Sequence, residues 1–324
     1  MKKITIALFT IIAAALFISC GKKSDIDANG CYKDIELAVK AAEKNNQDLM
    51  VIITMENTDE GSSNFLDNIV RAPAFKTDIA SKYAVALMDF SQAAYEATVE
   101  KEGATDAEKK AAAENAELLS KNTKYATMLN VKETPVVYIL SKEMYMIFGL
   151  YYDEENRTLD GFKALLAEKS STIDAMHKMI YQTKIGNADE KVASIDALYE
   201  ATNPDYRYLM LDLLESVKKL DPSNKSGLVG KYIYAAADAK AEKSMLSGDS
   251  KGAVQAYLDI ENEESIPAET RQQALYTAAY MSAMSGLEEN SVVIGYLERA
   301  IKLAPESSDV PGIRRVIQAL SVKE

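Results

Sequence analysis

Val131-Lys132-Glu133-Thr134-Pro135-Val136-Val137-Tyr138-Ile139-Leu140 runs from a polar bend into consecutive apolar residues, with a proline at the entrance. A short, wholly apolar run of this kind reads as a strand buried on both faces. Proline has no N–H to give to a ladder, so Pro135 belongs at the first position of the strand or in a cis turn ahead of it. Two similar runs lie upstream, Leu49-Met50-Val51-Ile52-Ile53 and Ala84-Val85-Ala86-Leu87-Met88-Asp89-Phe90. Before the first, Ile35, Leu37, Ala38, Ala41 and Ala42 recur at helical spacing and Asn45-Asn46 closes the pattern. Between the two strands, helical turns are predicted over residues 65–70 and 74–82, punctuated by Pro73. Residues 92–124 are rich in Ala, Glu and Lys and predict a solvated helix with a break at 103–106. Downstream, Ser141-Lys142-Glu143 links tightly to a strand over 144–152. Leu159, Phe162, Leu165, Leu166, Ile173, Met176 and Ile180 then mark one long helix.

This order of elements over residues 31–170, with Val131-Lys132-Glu133-Thr134-Pro135-Val136-Val137 leading into the later strand, resembles the thioredoxin-like fold. The resemblance implies a mixed central sheet with flanking helices, a cis peptide bond before Pro135, and a docking edge for an extended polypeptide beside Thr134 and Pro135. It also implies a Cys-x-x-Cys pair after the first buried strand, where a helix N-terminus lowers the thiol pKa. Here the loop reads Glu56-Asn57-Thr58-Asp59-Glu60-Gly61-Ser62-Ser63-Asn64, and no cysteine follows Cys31. Asp59, Glu60, Gly61 and Ser62 thus form a degenerate active-site loop in which dithiol exchange cannot occur.

From Asn187 onward amphipathic helices alternate with stops at Asn203-Pro204, Asp221-Pro222, Gly248-Asp249, Ile266-Pro267, Gly286 and Ala304-Pro305. They delimit three helix pairs and a last helix. Gly248-Asp249 with Ala253 and Tyr257, and Tyr296-Leu297-Glu298-Arg299-Ala300-Ile301-Lys302-Leu303-Ala304-Pro305, resemble tetratricopeptide repeats of degenerate period. The expected organisation is a signal peptide (1–19), a lipidated linker (20–30), a thioredoxin-like α/β domain (31–170), a connecting helix (171–186) and an all-α helical-repeat domain (187–324).

At the N-terminus, Met1-Lys2-Lys3 precedes an apolar run from Ile4 to Ile18 and then Ser19-Cys20. The run is short for a membrane span and suits an export signal. Phe17-Ile18-Ser19-Cys20 resembles a relaxed bacterial lipobox, which implies diacylation of Cys20 and a lipid anchor on a bacterial membrane, facing periplasm or cell exterior. Once Cys20 carries lipid, Cys31 has no partner for a disulfide in its own chain. The chain carries 37 Lys and Arg against 49 Asp and Glu, a net charge of −12, which excludes the basic footprint nucleic-acid binding requires. A single histidine and two cysteines exclude His-rich and four-cysteine zinc sites.

Asp25-Ile26-Asp27-Ala28-Asn29-Gly30 followed by Glu36 fits the spacing of a calcium-binding EF-hand loop. Against it, Lys33 occupies the water-mediated ligand position and no helix precedes the loop, so a polar linker capping the first helix through Asp34 competes with calcium. His177 shares a helix face with Ile173 and Ile180 and reads as structural. Tyr232, Tyr234, Tyr257 and Tyr280 are open between packing and contact. Together these features predict a non-catalytic, membrane-tethered binding or scaffolding protein of the cell envelope with a protein or peptide partner and no cofactor, its main binding surface in 187–324. Two alternatives stand beside it: a thiol-disulfide accessory acting through Cys31 or a partner's cysteine, and a substrate-binding lipoprotein serving a transporter.

Overall fold

In the computed structural model, which describes residues 25–153 and 157–322, the apolar runs form the middle of one five-stranded sheet. The chain opens with β1 (Cys31–Tyr32), α1 (Ile35–Asn45), β2 (Leu49–Thr54), α2 (Glu60–Phe65) with a π turn (Leu66–Val70), α3 (Phe75–Asp78) and β3 (Ala84–Asp89). It continues through α4 (Gln92–Glu96), α5 (Asp106–Met128), β4 (Val136–Leu140), β5 (Met146–Tyr151), α6 (Leu159–Glu168) and α7 (Ser170–Gln182). Strand order is β1-β3-β2-β4-β5. β1 and β2 run parallel to β3, while β4 is antiparallel to both β2 and β5. A strand flanked on both edges and covered on both faces must be apolar throughout, and Leu49 to Ile53 are all essentially solvent-free.

α1 packs on β2 and β3 with α5 beside it. Asp34 caps α1 by accepting from the Glu36 amide at 2.8 Å. Asn122 of α5 ties the helices together, its Nδ2 donating to the Lys33 carbonyl at 2.9 Å. α5 starts in a capping box of Thr105 and Glu108 and buries only Ala112 and Asn122, as its charge-rich sequence predicts.

Two local expectations change. The helix expected across Leu159 to Ile180 is two helices, α6 ending and α7 beginning at Lys169, whose φ −80° and ψ −1° stay in the right-handed region but lie at its edge, with ψ far from the roughly −42° of a regular helix. And β1 has no counterpart in the sequence reading. It pairs Cys31 with Val85 and Tyr32 with Ala86, and two residues are too few to show strand alternation.

The all-α half comprises α8 (Ala188–Ala201), a 3-10 segment (Pro204–Met210), α9 (Leu211–Leu220), α10 (Val229–Leu246), α11 (Ser250–Leu258), α12 (Ala268–Met284), α13 (Asn290–Leu303) and α14 (Val310–Ser321). Small residues at the crossings let these helices approach: Ala241, Ala253 and Ala256 form one buried cluster, with Ala274 and Ala278 fully buried on α12. Gly230 shows how close the approach is, since a Cβ there would lie 2.5 Å from the Ser265 carbonyl oxygen.

The main hydrophobic core does not stop at the join between the halves. One contiguous cluster runs from Cys31 through the sheet, α6, α7, α8 and α9 to Ala239 of α10. Tyr138 of β4, 1% exposed, meets the Tyr206 ring edge-on at 6.0 Å, and the Tyr145 hydroxyl donates to Asp212 at 2.7 Å. The 3-10 segment and α9 therefore dock on the β4–β5 hairpin.

Candidate functional site

β2 ends at Thr54, and the chain turns at Asn57, which takes φ 57°, a conformation asparagine tolerates. Asp59 then caps α2. Its Oδ1 accepts from the Gly61 amide and its Oδ2 from the Ser62 amide, both at 3.1 Å, satisfying helix-terminal donors that have no partner within the helix. Two hydroxyls converge on the same oxygen: Ser62 Oγ at 2.7 Å and Thr134 Oγ1 at 3.2 Å. Ser62 Oγ also accepts from the Met55 amide at 3.0 Å. The loop is pinned from the other side by Asp89, whose Oδ1 accepts from Thr54 Oγ1 and the Glu56 amide.

The Thr134-Pro135 bend lies against this loop. Thr134-Pro135 is cis, and a Cβ on Gly61 would come within 3.1 Å of Pro135 Cδ and 3.6 Å of the Tyr152 ring. A side chain at position 61 would press on the proline. Phe65 forms the floor, edge-on to Tyr152 at 5.6 Å and to Phe162 at 5.8 Å. Of the four loop residues singled out from sequence, Glu60 is exposed, Asp59 and Gly61 are half-buried, and Ser62 is fully buried.

Chemically this is a closed hydrogen-bond knot. Ser62 offers its proton to a carboxylate and no imidazole approaches it, because His177 is bonded through Nε2 to Asp48 Oδ1 at 2.8 Å, at the opposite end of β2. Burial works to raise the Asp59 pKa, but the hydrogen bonds from Ser62, Gly61 and Thr134 outweigh it and hold the carboxyl below its ordinary value. A depressed folded-state pKa means stabilisation that is complete above the unfolded value near pH 4 and is lost as pH falls through the folded one. Asp59→Ala is expected to cost about 1–2 kcal/mol at neutral pH, the worth of an N-cap. Thermal unfolding of parent and variant at pH 7 and pH 2 checks this, and a gap that does not shrink in acid contradicts it.

Cys31, the free cysteine among the described residues, has no exposed surface, and burial first, then Asp27, pushes its thiol up to about 12. Cys20 lies outside the described residues. The calcium arrangement does not form. Asp27 Oδ1 instead closes a turn on the amides of Asn29 at 2.8 Å and Cys31 at 2.9 Å, and Glu36 sits in the first turn of α1 near Lys121. Asp25, Asp27, Asn29 and Glu36 are not brought together, and no group of three metal-ligating side chains occurs among the described residues. The interposed β1 separates the loop from Glu36.

The tyrosines divide. Tyr232 is core: solvent-free, edge-on to Tyr199 at 5.4 Å, its hydroxyl donating to Asp196 at 2.6 Å. Tyr234 and Tyr257 are half-buried neighbours with ring centroids 6.4 Å apart. Tyr280 is 58% exposed and continues a stripe with Tyr276 and Met284 along α12. The sequence reading passed over Asp238 and Glu242, whose one-turn spacing on α10 within an alanine-rich stretch is the signal that they share a face.

Comparison with known proteins adds little that is functional. Residues 228–324, which hold α10 to α14, match a family model described as an uncharacterised protein C-terminal domain. An uncharacterized protein of Treponema pallidum (strain Nichols) is 29% identical over 133 residues, 41% of this chain and 44% of the relative. The match thus spans less than half the length of that curated relative. A solved chain titled DsbH oxidoreductase is similar at 13% identity with a TM-score of 0.31, covering 53% of this chain and 95% of its own, an overlap too slight to argue from. What the chain is, on these findings, is a mixed five-stranded α/β region joined to a C-terminal helical domain that relatives share.

Proposed function

We propose that the chain is a membrane-tethered, non-catalytic binding or scaffolding protein of the bacterial cell envelope. Its α/β half is read as a thioredoxin-like module without a dithiol, and its helical half as a tetratricopeptide-like array. The observation that carries the reading is the Asp59 knot. The loop that meets the Thr134-Pro135 bend holds a carboxylate and a buried hydroxyl where the resemblance calls for reactive sulfurs, which supports a docking edge kept without its chemistry. The strand order and its mix of parallel and antiparallel pairs support the fold part of the reading. Cys31 supports the non-catalytic part, since an attacking sulfur must be a thiolate within reach. The tether rests on Cys20 and its preceding residues alone.

One preparation tests the reading. Cells carrying the full chain are cross-linked and separated into membrane and soluble fractions. The chain is expected in the membrane fraction, to leave it on Cys20→Ala, and to be recovered joined to a protein partner. In the same purified protein the Cys31 thiol should react with a disulfide reagent no faster than the protein unfolds, and reduced protein should not reduce insulin. A chain recovered alone, or a Cys31 that reacts at the rate of a free thiol, overturns it.

A further inference from the structure

From Gln272 to Leu287 the sequence holds no charged side chain, in a chain that is 27% charged. Beyond the N-terminal apolar run no uncharged stretch is longer. A buried strand has reason to lack charge, but this stretch is most of α12 and the turn after it. Only one face of α12 is covered: Leu275 and Ala279 pack on Val293 and Leu297 of α13. The other face is in solvent, and it carries Tyr276, Tyr280 and Met284 at successive turns. Leu287 in the following turn and Val292 in the first turn of α13 are exposed as well. Single exposed apolar residues are ordinary, whereas several on consecutive turns mark a surface that something covers.

Charge points to what covers it. The chain carries a net −12, so two copies repel one another over most of their surface. A face without charge is where that repulsion is least. The stripe is also complementary to itself. Its middle is formed by Tyr280 and Met284, 58% and 71% exposed and one turn apart. In an antiparallel pair of α12 helices with a two-fold axis between these positions, each Tyr280 ring meets Met284 of the other copy. A thioether against an aromatic ring is a favourable contact, and the axis makes it twice. Glu288 and Glu289, which end the uncharged run, then fall at opposite ends of the pair and do not face one another.

We propose that α12 is a self-association surface, through which two copies of the chain pair antiparallel by Tyr276, Tyr280 and Met284 as a two-fold dimer. The proposal goes beyond the binding-protein reading above and does not depend on it.

Sedimentation equilibrium of the full chain is expected to show dimerisation with a dissociation constant on the order of 10 μM, as suits a small interface. Two variants of equal charge change make the comparison. Met284→Glu sets like charges near the axis and should weaken the dimer at least about 10-fold, with melting temperature unchanged; Tyr181→Glu, at an exposed aromatic position on α7, should change it by no more than about 2-fold.

Position 283 decides the geometry, because only residues beside a two-fold axis meet their own counterparts. Ala283 is exposed on the same stripe. With Cys20→Ser throughout and Cys31 buried, Ala283→Cys should give a disulfide-linked dimer when diamide is the oxidant, and Ala175→Cys, exposed on α7, should not. A chain that stays monomeric about tenfold above the stated concentration, equal weakening by the two glutamate variants, or equal linkage from positions 283 and 175 overturns the proposal. The binding-protein reading is decided separately, by recovery of a different protein from intact cells, and stands if the dimer fails.

Discussion

Ending the chain after Gln182, at the close of α7, should abolish cooperative folding of the α/β half, although every strand is retained. The cut removes Tyr206 from Tyr138 and Asp212 from the Tyr145 hydroxyl, and it uncovers Met176 and Ile180, now 5% and 4% exposed. Exposing a large side chain costs about 1.5–3 kcal/mol, and several at once approach the roughly 5–15 kcal/mol by which a domain is stable. Ending it after Gly248 retains Tyr232, Ala235, Ala236 and Ala239 of α10, which complete the main core, and should preserve a cooperative melt. Denaturant unfolding followed by circular dichroism separates the two. A sharp transition in the shorter chain, with native-like slope, contradicts the account of one core crossing both halves.

The second large effect is a gain. Asp59→Cys with Ser62→Cys should create a chain that forms an internal disulfide on mild oxidation. Positions 59 and 62 are the N-cap and third residue of α2, about 5 Å apart at Cα and within the range a disulfide spans. The Gly61 and Ser62 amides that now bond the Asp59 carboxylate would bond a thiolate at position 59 and lower its pKa. Position 62, fully buried, would hold the shielded partner. With oxidised glutathione as oxidant the expected readout is loss of two hydrogens by mass and of both reactive thiols. A mixture of glutathione adducts with no internal bond would show that the loop does not have dithiol geometry and would remove the basis for reading it as a degenerate active site.

The sheet was legible because β4 is apolar throughout and β2 and β3 are apolar up to their last residues, Thr54 and Asp89, and the helix ends were legible because proline, glycine and aspartate mark them. The contact of Thr134 with Asp59 spans 75 residues, and it was reached through the resemblance of the Thr134-Pro135 segment, since no local pattern encodes it. β1 was invisible for the reason already given. The π turn at Leu66–Val70 also left no trace, because Leu66, Ile69 and Val70 satisfy a helical burial pattern in either geometry. The continuity of the core was missed because Tyr138 reads as one more strand residue and Tyr206, just after the Asn203-Pro204 stop, carries no local sign of a partner 68 residues upstream. Only their meeting shows that the halves share an interior.

The edge position of β1 has a mechanical corollary. The N-terminal segment enters at one rim of the sheet and the helices dock on the hairpin at the other rim. Four inter-strand steps separate the rims, about 19 Å at the usual spacing of about 4.8 Å. The sheet is therefore a stiff spacer across its own width, and the helical half is carried on the side away from the point where the N-terminal segment enters.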